Sequence, residues 1–350
     1  MLTTTNWMLY GAYGTTGRLI LEDALSRGHR PILAGRDAAK LQQLGQATGL
    51  ETAHLPLDRG SELRTALSGV RCVLLAAGPY EITGPAVRAA CLDAHCSYLD
   101  VNADIVDFQQ TLAGDAAARA AGIATVPGVG YGVVFAECLA AQVVRRLPDA
   151  TSLRLSLATE TEGRSRGATL SIAHGLARGG VEVRAGALRS VPIAATTWLV
   201  PDPTGRSTRF AAAPIGELVA VHRSTGVPNI VAGIPMPRAA AAVVRAAGPW
   251  IGKVLARAAA LRSSKPPSRP VNAAIDTLRS RVWAEARNDA GQTVTAMLET
   301  GEGYRAAAAA AVRAVETLLH TPRVGALTPV QAFGADFAFG VPGTRIQELD

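Results

Sequence analysis

The chain has 350 residues, 48% hydrophobic and 18% charged, a balance that excludes intrinsic disorder and is large enough for two domains. Basic residues outnumber acidic ones 35 to 28, for a net charge of +7. The only lysines are Lys40, Lys253 and Lys265, the arginines are scattered among alanines, and aromatics make up 5%, so nucleic acid is not an expected partner. Cys72, Cys91, Cys96 and Cys138 form no CxxC pair and show no metal-ligand spacing; buried, reduced thiols and no metal site are expected. Asn6–Tyr10 is too short for the apolar core of a secretory signal. Ala239–Leu261 is interrupted by Gly248-Pro249 and carries Arg245, Lys253 and Arg257, so it reads as an amphipathic cover over an apolar pocket and not as a membrane span. A cytoplasmic protein is expected.

Short apolar runs alternate with helical patterns over the first 150 residues. Strands are expected at Trp7–Tyr10, Pro31–Ala34, Ala53–Leu57, Cys72–Ala77, Ser97–Val101 and Ile123–Val126. Helices are expected at Arg18–Arg27, after Asp37 as a cap, at Ser61–Leu67, Pro85–Ala94 and Ala116–Ala121, and through Val133–Arg146. Six such steps predict a doubly wound parallel sheet in the order 3-2-1-4-5-6.

The pattern then changes. Leu153–Thr159 alternates like a half-buried strand, Ala168–Arg178 reads as a helix, and Val191–Leu199 and Arg206–Ala212 read as antiparallel strands. Ser263–Pro270 reads as an exposed loop, and Arg281–Arg287 with Gln292–Thr300 as a hairpin around Asn288–Gly291. Tyr304–Leu319 is a helix by propensity, expected to return to the first domain. The fold class is therefore α/β, with a second mixed α+β domain. Boundaries are expected at 1–149 for the parallel-sheet domain, 150–300 for the second domain, and 301–350 for a helix and tail packing back on the first.

Gly11, Gly14 and Gly17 follow the first strand and open a helix in a GxxGxxG spacing. Gly11 allows the tight turn, Gly14 the approach of a pyrophosphate and Gly17 close packing of the helix, with Tyr13, Thr15 and Thr16 completing the loop. A dinucleotide is the expected cofactor. After strand two the chain reads Ala34-Gly35-Arg36 where an NAD site usually carries an acid, so Arg36 points to a 2′-phosphate and to NADP(H). Asp58 is a candidate adenine contact or turn cap. Ala77, Gly78, Pro79 and Asn102 lie where strands four and five end, the place for the nicotinamide ribose; Asp100 reads equally as acid, ribose contact or cap. Tyr80, Tyr131, His174 and His222 are candidate proton donors or carbonyl polarisers, with Tyr131, His222 and Tyr80 as the catalytic set. Pro127–Gly132 is expected to line a cleft between the domains, with Ala168–Arg178 and Val221–Asn229 as its lid.

The segments YGAYGTTGRL, LAGRD, AAGPYEITGPAVRAAC, SYLDVNAD, PGVGYGVV, PIGELVAVHRSTGVPNI, TGEGYRAAAA and ALTPVQAFG resemble the saccharopine dehydrogenase-like oxidoreductases. Within them the chain is most similar to the trans-acting enoyl reductases. The resemblance implies an NADP-binding Rossmann domain, an inserted substrate domain, and reduction of an activated C=C bond in a fairly apolar small molecule, free or linked to a carrier protein or coenzyme A. It leaves open C=N or C–N chemistry of the saccharopine reductase type, for which Arg154, Arg164 and Arg166 would hold carboxylates, as well as a non-catalytic redox sensor and a homodimer. Relatives commonly carry a phenylalanine–aspartate pair and a proline–threonine/serine–aspartate run after the sixth strand, where this chain has Gly130-Tyr131 and Phe135-Ala136-Glu137.

Overall fold

The structure, a computed structural model, describes residues 6–161, 166–201, 207–261 and 277–349. β1 (Trp7–Tyr10), β2 (Ile32–Gly35), β3 (Thr52–His54), β4 (Cys72–Leu75), β5 (Ser97–Asp100) and β6 (Ala124–Val126) alternate with helices. These are α1 (Thr15–Ser26), α2 (Ala38–Thr48), α3 (Gly60–Ala66), α4 (Tyr80–Asp93) and the pair α5 (Ile105–Ala113) and α6 (Asp115–Ala121). The six strands run parallel in the order 3-2-1-4-5-6. Every residue of the central strands β1 and β4 is buried, as a sheet covered on both faces requires. On one face Met8, Val73, Leu75 and Tyr98 pack with Leu63, Leu67, Val87 and Cys91, each apolar side chain contributing roughly 1.5–3 kcal/mol on burial. Tyr10 lies opposite Ala34 and Leu75, and Leu75 opposite Asp100, so the strands finish together at one edge. Here the chain needs its special turns.

Asp37 caps α2 as expected, accepting from the Lys40 N–H at 3.1 Å. β3 stops at His54, short of Leu57, because the chain turns at Pro56, whose carbonyl accepts from the Arg59 N–H. α4 starts five residues before Pro85: the Pro79 carbonyl accepts from Ile82 and Thr83, and Pro85 is carried inside the helix.

α7 (Tyr131–Arg146) is followed by β7 (Ser152–Ala158), α8 (Arg166–Arg178), β8 (Gly180–Arg184), β9 (Ala187–Val191), β10 (Thr197–Pro201), β11 (Ser207–Ala212), α9 (Glu217–Thr225), β12 (Asn229–Pro235), α10 (Arg238–Leu261), β13 (Ser280–Arg287) and β14 (Thr293–Thr300). The second sheet is mixed, in the order 10-11-12-7-13-14, with β7 and β12 parallel and β8 hung from β12. Its core centres on Phe210, stacked on Trp198 and edge-on to Trp283; the Trp198 indole donates to Ser156 Oγ at 2.7 Å. The expected strand Val191–Leu199 is two pieces. β9 ends before Pro192, and Ala194 adopts φ 55°, a conformation that leaves no place in a ladder. The hairpin of β8 and β9 turns on Ala185 and Gly186, both at positive φ; Ala-Gly is a weaker turn signal than Asn-Gly. α10 runs unbroken through Gly248. At Gly252 a Cβ would lie 2.3 Å from the Ala177 nitrogen of α8, so glycine permits that close packing. The expected loop Ser263–Pro270 lies outside the described residues.

α11 (Gly303–His320), β15 (Gly325–Ala326), α12 (Pro329–Phe333) and β16 (Arg345–Leu349) complete the chain. Residues up to Asn102 with Val106–Tyr131 and Tyr304–Phe333 form one compact unit, and Ala103–Ile105, Gly132–Gly303 and the chain from Gly334 form the other. Glu316 of α11 is held by Arg27 at 3.1 Å and His29 at 3.0 Å, and β15 adds a seventh parallel strand beside β6. The tail does not stay with the first unit, contrary to expectation: β16 runs antiparallel to β14. Among the described residues no helix is long and apolar enough to cross a membrane, and no group of His, Cys, Asp and Glu could hold a metal. All four cysteines are buried and free.

Candidate functional site

The turn from β1 into α1 is built on glycine for steric reasons. Gly11 has φ 93°, and a Cβ there would lie 2.8 Å from Ala77 Cβ and 2.9 Å from the Ala76 carbonyl oxygen. A Cβ on Gly17 would lie 2.1 Å from the Gly11 carbonyl oxygen, so the helix rests directly on the turn. At Gly14 only that oxygen comes close, at 3.2 Å. Gly14 caps α1 without a side-chain hydrogen bond, and the first turn, with Thr15 and Thr16, holds no acid. The N-terminal N–H groups of this 12-residue helix thus have neither a capping side chain nor an acid in the first turn, which suits a pyrophosphate. The residues fit a dinucleotide.

Tyr13 closes the end of β2. Its hydroxyl accepts from the N–H groups of Arg36 and Asp37, both at 3.1 Å, and its ring fills the space a side chain at Gly35 would need, with Cε1 2.6 Å from that Cβ position. Lys40 lies over the ring and pairs with Asp37 at 2.9 Å, and this pairing lowers the Asp37 carboxyl below its ordinary value. Asp37 is therefore committed to the cap and to Lys40. The Arg36 side chain is exposed, and its carbonyl takes the ring nitrogen of His54 at 3.2 Å. Asp58 sits in an exposed turn beyond β3.

Beyond β4, Ala77, Gly78 and Pro79 run into Tyr80 and α4. The Thr83 hydroxyl donates to the Ala77 carbonyl at 2.6 Å and ties the loop to the helix. Asp100, wholly buried at the end of β5, accepts from the Tyr98 hydroxyl at 2.7 Å and from the N–H groups of Asn102 and Gly128, both at 2.9 Å. Of the three roles expected for Asp100, the geometry selects the cap. Burial, with Asp107 nearby, raises its carboxyl to about 6 against the pull of these donors. Asn102 is also turned inward: its amide donates to Asp107 at 2.8 Å, and Asp107 takes a two-pronged pair from Arg88 at 2.8 and 3.1 Å. Asn102 thus supports the loop through its side-chain amide. Sequence reading missed Arg88 and Asp107, whose 19-residue separation carries no local signal. Tyr80, partly buried against the same core, has its hydroxyl pushed up by burial and by Asp100 and Asp107. The Val129 N–H donates to the Asp100 carbonyl at 2.7 Å, and Tyr131, 6% exposed, opens α7 directly after this turn.

The second unit places the remaining candidates differently. Both ring nitrogens of His222 meet main-chain carbonyls, of Val227 at 3.2 Å and Gly186 at 3.1 Å. A neutral ring donates to one of these two carbonyls, so the ring staples α9 either to Val227 or to the β8–β9 turn at Gly186. His174 is half-buried on α8. Arg154 is held by Glu285 at 3.0 Å and lies over the Trp198 ring, so it is not free to take a substrate carboxylate; Arg164 and the side chain of Arg166 lie outside the described residues. The group that sequence reading overlooked is Glu217, at the start of α9 and 3% exposed. Its Oε2 has no hydrogen-bond partner, its carboxyl packs where a side chain at Gly132 would stand, and burial pushes it up to about 7. The motif PIGELVAVH contains this residue, but nothing in its spacing shows burial.

Residues 11–121 match the NAD(P)H-binding family model. No curated protein matches the chain. Among solved structures, apo saccharopine dehydrogenase (L-Glu forming) from Saccharomyces cerevisiae is similar over 99% of this chain and 100% of that chain, with 13% identity and a TM-score of 0.65. A probable dehydrogenase from Thermotoga maritima is similar over 98% of each chain, with 10% identity and a TM-score of 0.49. The first likeness identifies the fold of the whole chain as that of the yeast enzyme.

Proposed function

We propose that the chain is an NADPH-dependent oxidoreductase of the saccharopine dehydrogenase-like group, reducing an activated C=C bond in a fairly apolar substrate. The observation that carries the cofactor choice is the end of β2. Its first side chain is the exposed Arg36, while the nearest acid, Asp37, is spent on its helix cap and on Lys40. A guanidinium there forks onto a 2′-phosphate, and no carboxylate is left to bind a ribose diol. NADP(H) is expected to bind about tenfold more tightly than NAD(H), a difference of about 1.4 kcal/mol. Arg36→Ala should remove most of that preference and leave NAD(H) affinity unchanged in a fluorescence titration. Equal affinities in the wild type would defeat the assignment.

When bound, the dinucleotide supplies the hydride. The chain's own part is to hold it with Gly11, Gly14, Gly17 and the start of α1, with Arg36 and Tyr13 at the adenosine end and Ala77, Gly78 and Pro79 at the other. Hydride addition to a conjugated bond leaves charge that must be stabilised and protonated. Tyr131, at the carboxyl end of β6, is the group we assign to polarise the acceptor carbonyl. Glu217, at the start of α9 and packed on Gly132, is a second group of the chain able to hold a proton. Tyr131→Phe removes a single hydroxyl. It should lower turnover about tenfold, or about 1.4 kcal/mol of transition-state stabilisation, with cofactor affinity intact; full turnover with chemistry rate-limiting would clear Tyr131 of this role.

Imine reduction or amine oxidation is the second reading, supported by the whole-chain likeness to saccharopine dehydrogenase. NADPH consumption with enoyl thioesters, enals and imines separates the two. Tight NADP(H) binding with turnover of none of them would favour a redox sensor.

A further inference from the structure

A concavity of about 560 Å3 lies where β10, β11 and the first half of α10 meet, apart from every group used above. Arg209 reaches it from β11, Arg238 and Arg245 from α10, and Thr197 adds a hydroxyl. Seven residues apart, Arg238 and Arg245 share one face of the helix, about two turns from each other. The lining between and beyond them is alanine, including Ala242 and Ala246, which keeps the space open. Arg245 is fixed in place: its Nε donates to the Ala194 carbonyl at 3.0 Å and its Nη2 to the same oxygen. Ala194 presents that oxygen from a left-handed backbone, φ 55°, a conformation alanine adopts only when its surroundings hold it there. Among the described residues no carboxylate lines the concavity or pairs with these three arginines.

We propose that this concavity binds the phosphate monoester of a nucleotide-sized ligand, such as the terminal phosphate of a coenzyme A thioester. Three guanidiniums without an acid among them match a dianion: Arg209 and Arg238 offer their forks to phosphate oxygens, while Arg245, whose Nε and Nη2 are taken by the Ala194 carbonyl, adds its charge and its remaining Nη1. The volume falls in the range of small-molecule sites and exceeds that of a phosphate alone. Alanine methyls and guanidinium planes leave apolar surface for a flat base. Phosphate recognition stands on the arginines alone; only the choice of a thioester tether rests on the reductase reading.

The test is calorimetry on the full chain presaturated with NADP+, so that the dinucleotide site is filled. Coenzyme A, dephospho-coenzyme A, inorganic phosphate and glutarate are titrated in turn. Coenzyme A should bind saturably, and loss of its 3′-phosphate should weaken binding about tenfold. Arg209→Gln combined with Arg238→Gln should weaken it to a similar extent, and Ala242→Glu, which places a carboxylate among the arginines, should abolish it. Thermal unfolding of each variant confirms that it is folded. Absence of saturable binding, equal binding of dephospho-coenzyme A, or tighter binding of glutarate than of phosphate overturns the site. Inorganic phosphate binding as tightly as coenzyme A overturns the tethered ligand. If coenzyme A binds here while no enoyl thioester is reduced, the reductase reading fails and this site survives.

Discussion

Gly17→Ala is expected to weaken NADP(H) binding by about a hundredfold, equivalent to about 2.7 kcal/mol. The added Cβ would stand 2.1 Å from the Gly11 carbonyl oxygen, 2.9 Å from the Gly11 carbonyl carbon and 3.0 Å from Ala12 Cα. All three are backbone atoms, so no side chain can swing away. Either α1 shifts outward or the turn does, and both belong to the cradle proposed for the pyrophosphate. The turn is itself pinned, since the Gly11 N–H donates to the Ala34 carbonyl at 2.8 Å and a Cβ at Gly11 would already collide with Ala76 and Ala77. Overpacking of this kind also costs roughly 1–3 kcal/mol of stability. Fluorescence titration and thermal unfolding measure the two effects. Affinity within threefold of wild type would show that the cradle does not hold the pyrophosphate.

Glu217 should make the protein lose stability as the pH rises. Its carboxyl titrates near 7 in the folded chain and at the ordinary 4.5 when unfolded, so the folded state holds the proton more tightly. Below pH 4.5 the group is neutral in both states and contributes no penalty. Between 4.5 and 7 the unfolded chain ionises while the folded one stays protonated, and stability falls to a deficit of about 3 kcal/mol that stays constant at higher pH. The cause is burial of the carboxyl, which packs against Gly132. Asp100, raised to about 6, tilts stability in the same direction, so the measurement is the difference between wild type and Glu217→Gln. That difference should grow from pH 5 to pH 8 in favour of the variant. A flat difference across this range would mean that Glu217 ionises normally in the folded protein.

The site was legible in part. The steric need at Gly17 and the cap at Asp37 could be read from spacing because their partners, Gly11 and Lys40, are nearby in sequence, whereas the close approach of Ala76 and Ala77 to Gly11 could not. The partners of Asn102 and His222 could not. They are the Asp107 carboxylate for one and the Val227 and Gly186 carbonyls for the other, and residue type does not reveal the partner.

The first sheet followed from sequence alone, strand order included, because its six continuous apolar runs and intervening helices admit few right-handed parallel windings. The second sheet did not. β7 lies between β12 and β13, β8 hangs from β12, and β16 closes on β14 across a whole helical excursion through the first unit. Such pairings join residues far apart in the chain, where alternation shows that a strand has a buried face but not which neighbour it meets. The buried charge of Glu217, the Arg88–Asp107 pair and the arginine-lined concavity arise in the same way. Each depends on side chains that only the packed chain brings together, so burial and charge environment were decided by tertiary structure, while turn sterics and strand periodicity were already determined by the order of the residues.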